Sequence, residues 1–198
     1  MVRPALDVTD KYAMIKIIDD AIPVTMQNYV EYQLTSSTFP WFFISGIAGG
    51  NTFGAKDDVD GWAHVIRKNG QPISPLDDLL TSVIYVASDK AGVQVDFVER
   101  IRIGLFTPVG KELIHASHID YEYPHMAMLY YVADSDGPTV FYNPDGSILD
   151  AVDPKKGRAV FFDGLIRHAS SSPVETRKRI VVNYNFNTPQ ANGNNQHT

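Results

Sequence analysis

The sequence predicts a mainly β chain with flanking helices, and three observations carry that reading. Six short runs rich in β-branched and aromatic residues fill the stretch from Val93 to Phe186. Turn signals separate them: Asp134-Ser135-Asp136-Gly137, Asn143-Pro144-Asp145-Gly146 and Pro154-Lys155-Lys156-Gly157. Their glycines recur at intervals of 9 and 11 residues, the spacing of an antiparallel sandwich or barrel. Two helical patterns precede this region.

Taken in order, the apolar run Ala13 to Ile18 leads into a helix-compatible stretch from Pro23 to Leu34, with proline in its first turn. A second helix is expected from Pro75 to about Ser88. Asp77 and Asp78 favour its positive N-terminal end, and Leu76, Leu79, Leu80, Val83, Ile84 and Val86 make an apolar face that ends near Lys90-Ala91-Gly92. The Gly-, Asp- and Asn-rich material between the helices reads as loop. The expected strands are Val93 to Phe106, Met126 to Val132, Thr139 to Tyr142, Ile148 to Val152, Arg158 to Phe162 and Arg179 to Phe186. Residues 1–92 form a mixed helical support, 93–187 the β core, and 188–198 a polar, aperiodic tail expected to be disordered.

Composition narrows the chemistry. With 198 residues, 44% hydrophobic, and 10 Phe, 10 Tyr and 2 Trp, the chain suffices for one domain with its own core. A net charge of -6 disfavours a nucleic-acid surface. No run approaches the length of a membrane span and the N-terminus carries no signal-peptide pattern, so a cytoplasmic setting is expected. Oligomeric state is not legible. The absence of cysteine removes disulfides, thiolate nucleophiles and thiolate metal sites, leaving any metal to histidine and carboxylate. Asp58-Val59-Asp60-Gly61 and Asp134-Ser135-Asp136-Gly137 lack the carboxylates of an EF-hand loop at positions one and twelve. There is no phosphate-binding GxxxxGK[ST] loop and no GxSxG elbow.

His118-Ile119-Asp120 is the feature that carries chemistry. On an extended strand residues two apart share a face, roughly 6.5–7 Å from one another, so both could ligate one ion. A third ligand must then come from elsewhere. His168, just after the run Ala159-Val160-Phe161-Phe162, is the candidate. Two histidines and one carboxylate with open positions is the donor set of non-haem Fe(II) oxygenases. His115, three residues from His118, falls on the opposite face and is not a co-ligand, while His64 and His197 read as structural or surface residues.

His118-Ile119-Asp120, Tyr130-Tyr131-Val132, Gly137-Pro138-Thr139-Val140-Phe141, Gly157 to Phe162, His168, and Arg177 or Arg179 ahead of Ile180-Val181-Val182 follow one another in a single order. The series resembles the Fe(II)/2-oxoglutarate-dependent dioxygenase superfamily, particularly its prolyl-4-hydroxylase-like branch, over roughly Arg100 to Phe186. The resemblance implies a double-stranded β-helix, the jelly-roll or cupin-like core, with Fe(II) held by His118, Asp120 and His168, 2-oxoglutarate as co-substrate, O2 as oxidant and hydroxylation as the outcome. The carboxylate in the ligand set argues against halogenation.

A 2-oxo acid chelated at the open positions leaves its far carboxylate in the interior, where a planar guanidinium meets it best. Arg179 is the first choice and Arg177 the alternative. Val181 stands where the family has a serine in its RxS closing strand. Tyr130 matches the strand tyrosine that helps hold the same carboxylate, and reads equally as a core aromatic. Tyr121, Tyr123, Asn183 and Arg167 are candidate contacts to a small-molecule or peptide substrate, peptidyl proline first; Arg167 reads equally as a surface ion pair. Two competing readings remain: a cupin-like metal-binding jelly roll acting as a ligand binder or isomerase, and a non-catalytic jelly roll. Neither requires an interior Arg179.

Overall fold

A computed structural model describes residues 15–46 and 59–189. The tail expected over 188–198 lies outside these residues from 190 onward, and so does His197. The backbone is dominated by one antiparallel sheet. In spatial order its strands are β1 (Lys16–Ile18), β10 (Ala159–Asp163), β7 (Met126–Tyr131), β13 (Arg179–Asn187), β5 (Phe97–Phe106), β3 (Gly61–Lys68) and β2 (Phe42–Ile44), with β4 (Gln71–Pro72) pairing β3. Shorter strands form two smaller sheets: β11 (His168–Ala169), β8 (Thr139–Tyr142) and β9 (Ile148–Val152) in one, and β12 (Ser171–Ser172) with β6 (Leu113–Ile114) in the other. Together these make the double-stranded β-helix expected from the sequence.

Strand alternation divides the main sheet between two cores. On β13, Ile180, Val182, Tyr184 and Phe186 join Met128, Tyr130 and Phe161 in a cluster that packs against the helices α1 (Val24–Thr35) and α2 (Asp77–Ala91). The intervening residues face the other way. Val181, with Leu129, Tyr131, Val160 and Phe162, meets Phe141 and Val152 of the small sheet in a second cluster. This second face holds the site.

α2 forms where expected and runs one turn further. Its buried stripe of Leu80, Val83, Ile84, Ala87 and Ala91 sits on the sheet. Gly92 ends it with φ of 65°, a left-handed cap that a side chain would strain. Asp77, buried at its first turn, pairs with Arg67 of β3 and so ties helix to sheet. No helix among the described residues is long and apolar enough to cross a membrane.

The expected loop between the helices is corrected: β2, β3 and β4 lie there and extend the main sheet. Gly61 to Lys68 buries Ala63, His64 and Ile66, and a bulge between Val65 and Arg67 interrupts the two-residue period that would have marked it as a strand.

Candidate metal site

The two candidate histidines face each other through their backbones. His118 N–H donates to His168 O at 3.0 Å and His168 N–H returns the bond at 2.9 Å, one hydrogen-bonded antiparallel pair. The pairing sets the imidazole centroids 4.8 Å apart. One donor atom from each of His118, Asp120 and His168 then lies within 4.8 Å of the others. The expected regular strand through His118-Ile119-Asp120 does not form: His118 sits in this isolated bridge and Asp120 in the bend that follows.

The donor set fits a divalent cation. His118 Nδ1 lies 3.3 Å from Ala116 O and His168 Nδ1 3.0 Å from Ile166 O. A carbonyl can only accept, so both Nδ1 atoms carry hydrogen and both Nε2 atoms keep a lone pair for a metal. Burial lowers the His118 pKa to about 4 and pushes His168 down as well, so both rings are neutral ligands near pH 7. Burial pushes the Asp120 carboxyl up. The Arg100 charge, the two imidazoles once protonated in acid, and the Asn185 amide outweigh it and hold the group well below the usual carboxylate range.

Asp120 is oriented by three neighbours. Arg100 of β5 pairs with Oδ1, while the Asn183 and Asn185 amides of β13 each donate to Oδ2 at 2.9 Å. Asn183 was expected to meet substrate; here its amide is engaged with Asp120, and its side chain also lines the cavity. Strand parity explains the arrangement. Residues 179, 181, 183 and 185 share one face of β13, and Arg100 and Arg102 lie opposite Asn185 and Asn183.

The cavity beside the triad, about 50 Å³ or room for roughly four waters, is lined by Arg102, Phe106, Thr139, Ser170, Arg179 and Val181 among others. Arg179 is 1% exposed. Its Nε donates to Gly137 O and its Nη2 to Thr139 Oγ1, both at 2.7 Å, and it stacks near Phe106 and Tyr131. Its Nη1 is buried with no partner, and no carboxylate of the described residues pairs with the guanidinium. Gly137 is required here by close approach, since a Cβ would come within 2.7 Å of Ser171 O. Burial lowers the pKa of both Arg179 and Arg102, yet an arginine cannot shed its proton in a protein.

Two expectations for this cavity are corrected. Arg177 is exposed, because β13 begins only at Arg179 and the preceding turn breaks the strand parity that would have aimed both inward. Tyr130 faces the helix-side core; its neighbour Tyr131 has the cavity-side parity and donates to Thr139 Oγ1 at 2.7 Å. With valine at 181, the hydroxyls near Arg179 come from Thr139 and Ser170 instead.

Tyr121 and Tyr123 stack on each other at 4.9 Å, Arg100 covers Tyr121, and Tyr123 donates to Glu99. Neither lines the cavity. Arg167 donates to Ser117 O and borders a separate surface hollow with Tyr142 and Asn143. His115 bridges Ser170 and Ser172 through its two ring nitrogens, with its pKa lowered to about 3 by burial and the Arg179 charge. His64 is a buried structural residue against Pro40 O. Sequence reasoning missed Arg100, Arg102, Tyr131, Thr139, Ser170 and Asn185. Only the alternation Arg100-Ile101-Arg102-Ile103, charged residues on one face of an apolar strand, was a readable signal.

No family model matches the sequence, and no curated protein sequence matches it. Solved structures do match the fold. An oxidoreductase of the 2OG-Fe(II) oxygenase family from Burkholderia pseudomallei superposes with a TM-score of 0.65 at 14% identity, covering 87% of this chain and 84% of that one. A prolyl-4-hydroxylase from Pseudomonas putida gives 0.56 at 12% identity, over 87% and 92% of the two chains. A non-haem alpha-ketoglutarate-dependent epimerase from nogalamycin biosynthesis gives 0.58 at 14% identity, over 87% and 76%. The chain thus has the fold of the 2-oxoglutarate and Fe(II) oxygenases, prolyl hydroxylases among them.

Proposed function

We propose that the protein is an Fe(II)- and 2-oxoglutarate-dependent oxygenase that hydroxylates a small molecule or peptide, with prolyl substrates the first to try. One observation carries this reading: a buried arginine with an unspent N–H and no counter-anion borders the same cavity as a His-Asp-His donor set. A cupin-like binder or isomerase has no need of that cation. His118, Asp120 and His168 would hold Fe(II), and Arg179 with the Thr139 hydroxyl would hold the far carboxylate of 2-oxoglutarate. When bound, metal and co-substrate supply oxidation by O2, with succinate and CO2 formed and one oxygen atom entering a substrate C–H bond.

The chain's own residues do the rest. Backbone carbonyls orient both imidazoles, Arg100, Asn183 and Asn185 fix the carboxylate, and Leu129, Phe106 and Val181 keep the cavity apolar between its polar ends. Tyr121 and Tyr123, exposed or half-buried next to Asp120 in sequence, are proposed substrate contacts at the rim. The test is Fe(II)-dependent release of CO2 from 2-oxoglutarate. Turnover by the wild type and none by His168→Ala or Asp120→Ala supports the reading; equal turnover by either variant removes it.

A further inference from the structure

A second uncompensated cation stands in the cavity. Arg102 lines it beside His118 and Asn183, and no hydrogen bond or ion pair joins its guanidinium to a described residue. Among the described residues the nearby anion, Asp120, is already engaged by Arg100 and two amides. Arg100, Arg102 and Arg179 against Asp120 put three guanidinium groups and one carboxylate around a small, partly apolar space. Guanidinium groups without counter-ions are costly in such a setting.

The spacing says what would neutralise them. In the β5–β13 register Arg102 lies opposite Asn183, and Phe106 opposite Arg179, so the two arginines are set four residues apart along the strands. That is about 13 Å between Cα levels at roughly 3.3 Å per residue. A single carboxylate between two side chains rooted that far apart cannot serve both fully, whereas a short dicarboxylate offers one anion to each.

We infer that Arg102 and Arg179 form a two-ended clamp that binds a five-carbon dicarboxylate without help from a metal, Arg102 taking the carboxylate at the triad end and Arg179 the other. The identity of the natural diacid as 2-oxoglutarate rests on the function proposed above; the clamp itself rests on the two arginines. Arg102 is then a co-substrate-binding residue supplied by β5, a strand on which the sequence reading placed none.

Glutarate tests this directly, because it lacks the keto oxygen needed for chelation. Metal-stripped full-length protein is titrated calorimetrically at low salt with glutarate and with butyrate. The clamp predicts that glutarate binds at least tenfold more tightly than butyrate, that Arg102→Gln lowers glutarate affinity at least tenfold, and that Arg102→Lys recovers part of the loss. Equal affinity for the two acids, or a smaller loss in Arg102→Gln, overturns it, and the wild-type comparison decides even where a variant folds poorly. Fe(II)-dependent decarboxylation is followed in parallel. Turnover without metal-free glutarate binding overturns the clamp alone, while glutarate binding without turnover overturns the oxygenase reading alone.

Discussion

Replacing Arg179 by methionine separates a structural arginine from a binding one. The substitution deletes two hydrogen bonds, to Gly137 O and Thr139 Oγ1. Bonds from a charged donor contribute about 1.5–3 kcal/mol each, so about 3–6 kcal/mol is lost. Against this, burying a guanidinium with no counter-anion costs several kcal/mol, which the variant recovers. Methionine is flexible enough to refill much of the space. The two contributions nearly offset each other, and ligand-free Arg179→Met is expected within about 2 kcal/mol of the wild type. Its ligand response should vanish. At a hundredfold excess of 2-oxoglutarate over its Kd, with a redox-inert divalent metal present, the wild type gains about 2.7 kcal/mol. For a chain of this size each kcal/mol raises Tm by about 2–4 °C, so the shift is about 5–11 °C. Thermal unfolding with and without 2-oxoglutarate reads both quantities. A variant that keeps the wild-type shift, or that loses more than about 5 kcal/mol without ligand, refutes the reasoning.

Three further outcomes follow from the same geometry. Asn183→Ala and Asn185→Ala each release one hydrogen bond to Asp120 Oδ2 and should lower Mn(II) affinity about 10–100-fold in equilibrium dialysis; unchanged affinity would show that Arg100 alone orients the carboxylate. The ligand-free protein should lose stability on acidification, because the folded state keeps His118 and His115 neutral with pKa values lowered to about 4 and about 3. The unfolded chain takes up those protons first. The contribution is therefore complete above the ordinary histidine pKa of about 6.5 and erodes as pH falls toward 4 and then 3, at up to about 1.4 kcal/mol per pH unit per residue; a urea midpoint that stays flat from pH 7 to 5 contradicts this. Tyr184→Phe removes the hydroxyl that ties β13 to Leu80 O of α2 at 3.0 Å and should cost about 0.5–1.5 kcal/mol in urea unfolding without altering metal affinity.

The β core and both helices were legible because their patterns are local: turn residues bound each strand from Thr139 onward, and the α2 stripe repeats at helical spacing up to a glycine cap. The strand Gly61 to Lys68 was not, since a bulge and the buried polar His64 disguise its alternation. The residues His118, Asp120, His168 and Arg179 could be nominated from type and order, but what surrounds them could not. Tyr130 and Tyr131 look alike in sequence, and on a strand covered on both faces each is fully buried. Only the pairing of Tyr131 with Val181 across β7 and β13 shows which one shares the face of Arg179. Arg100 reaches Asp120 across 20 positions, a contact that no local pattern announces. Arg177 and Arg179 differ in the same way, by where a strand begins.

The central claim is that two imidazoles and one carboxylate hold Fe(II) next to a seat for 2-oxoglutarate, and an anaerobic optical titration tests it most directly. Adding 2-oxoglutarate to the Fe(II)-loaded wild type should raise a weak visible charge-transfer band that saturates at one equivalent, and His168→Ala should show none. A wild type that stays colourless, or a variant that develops the same band, would contradict the account.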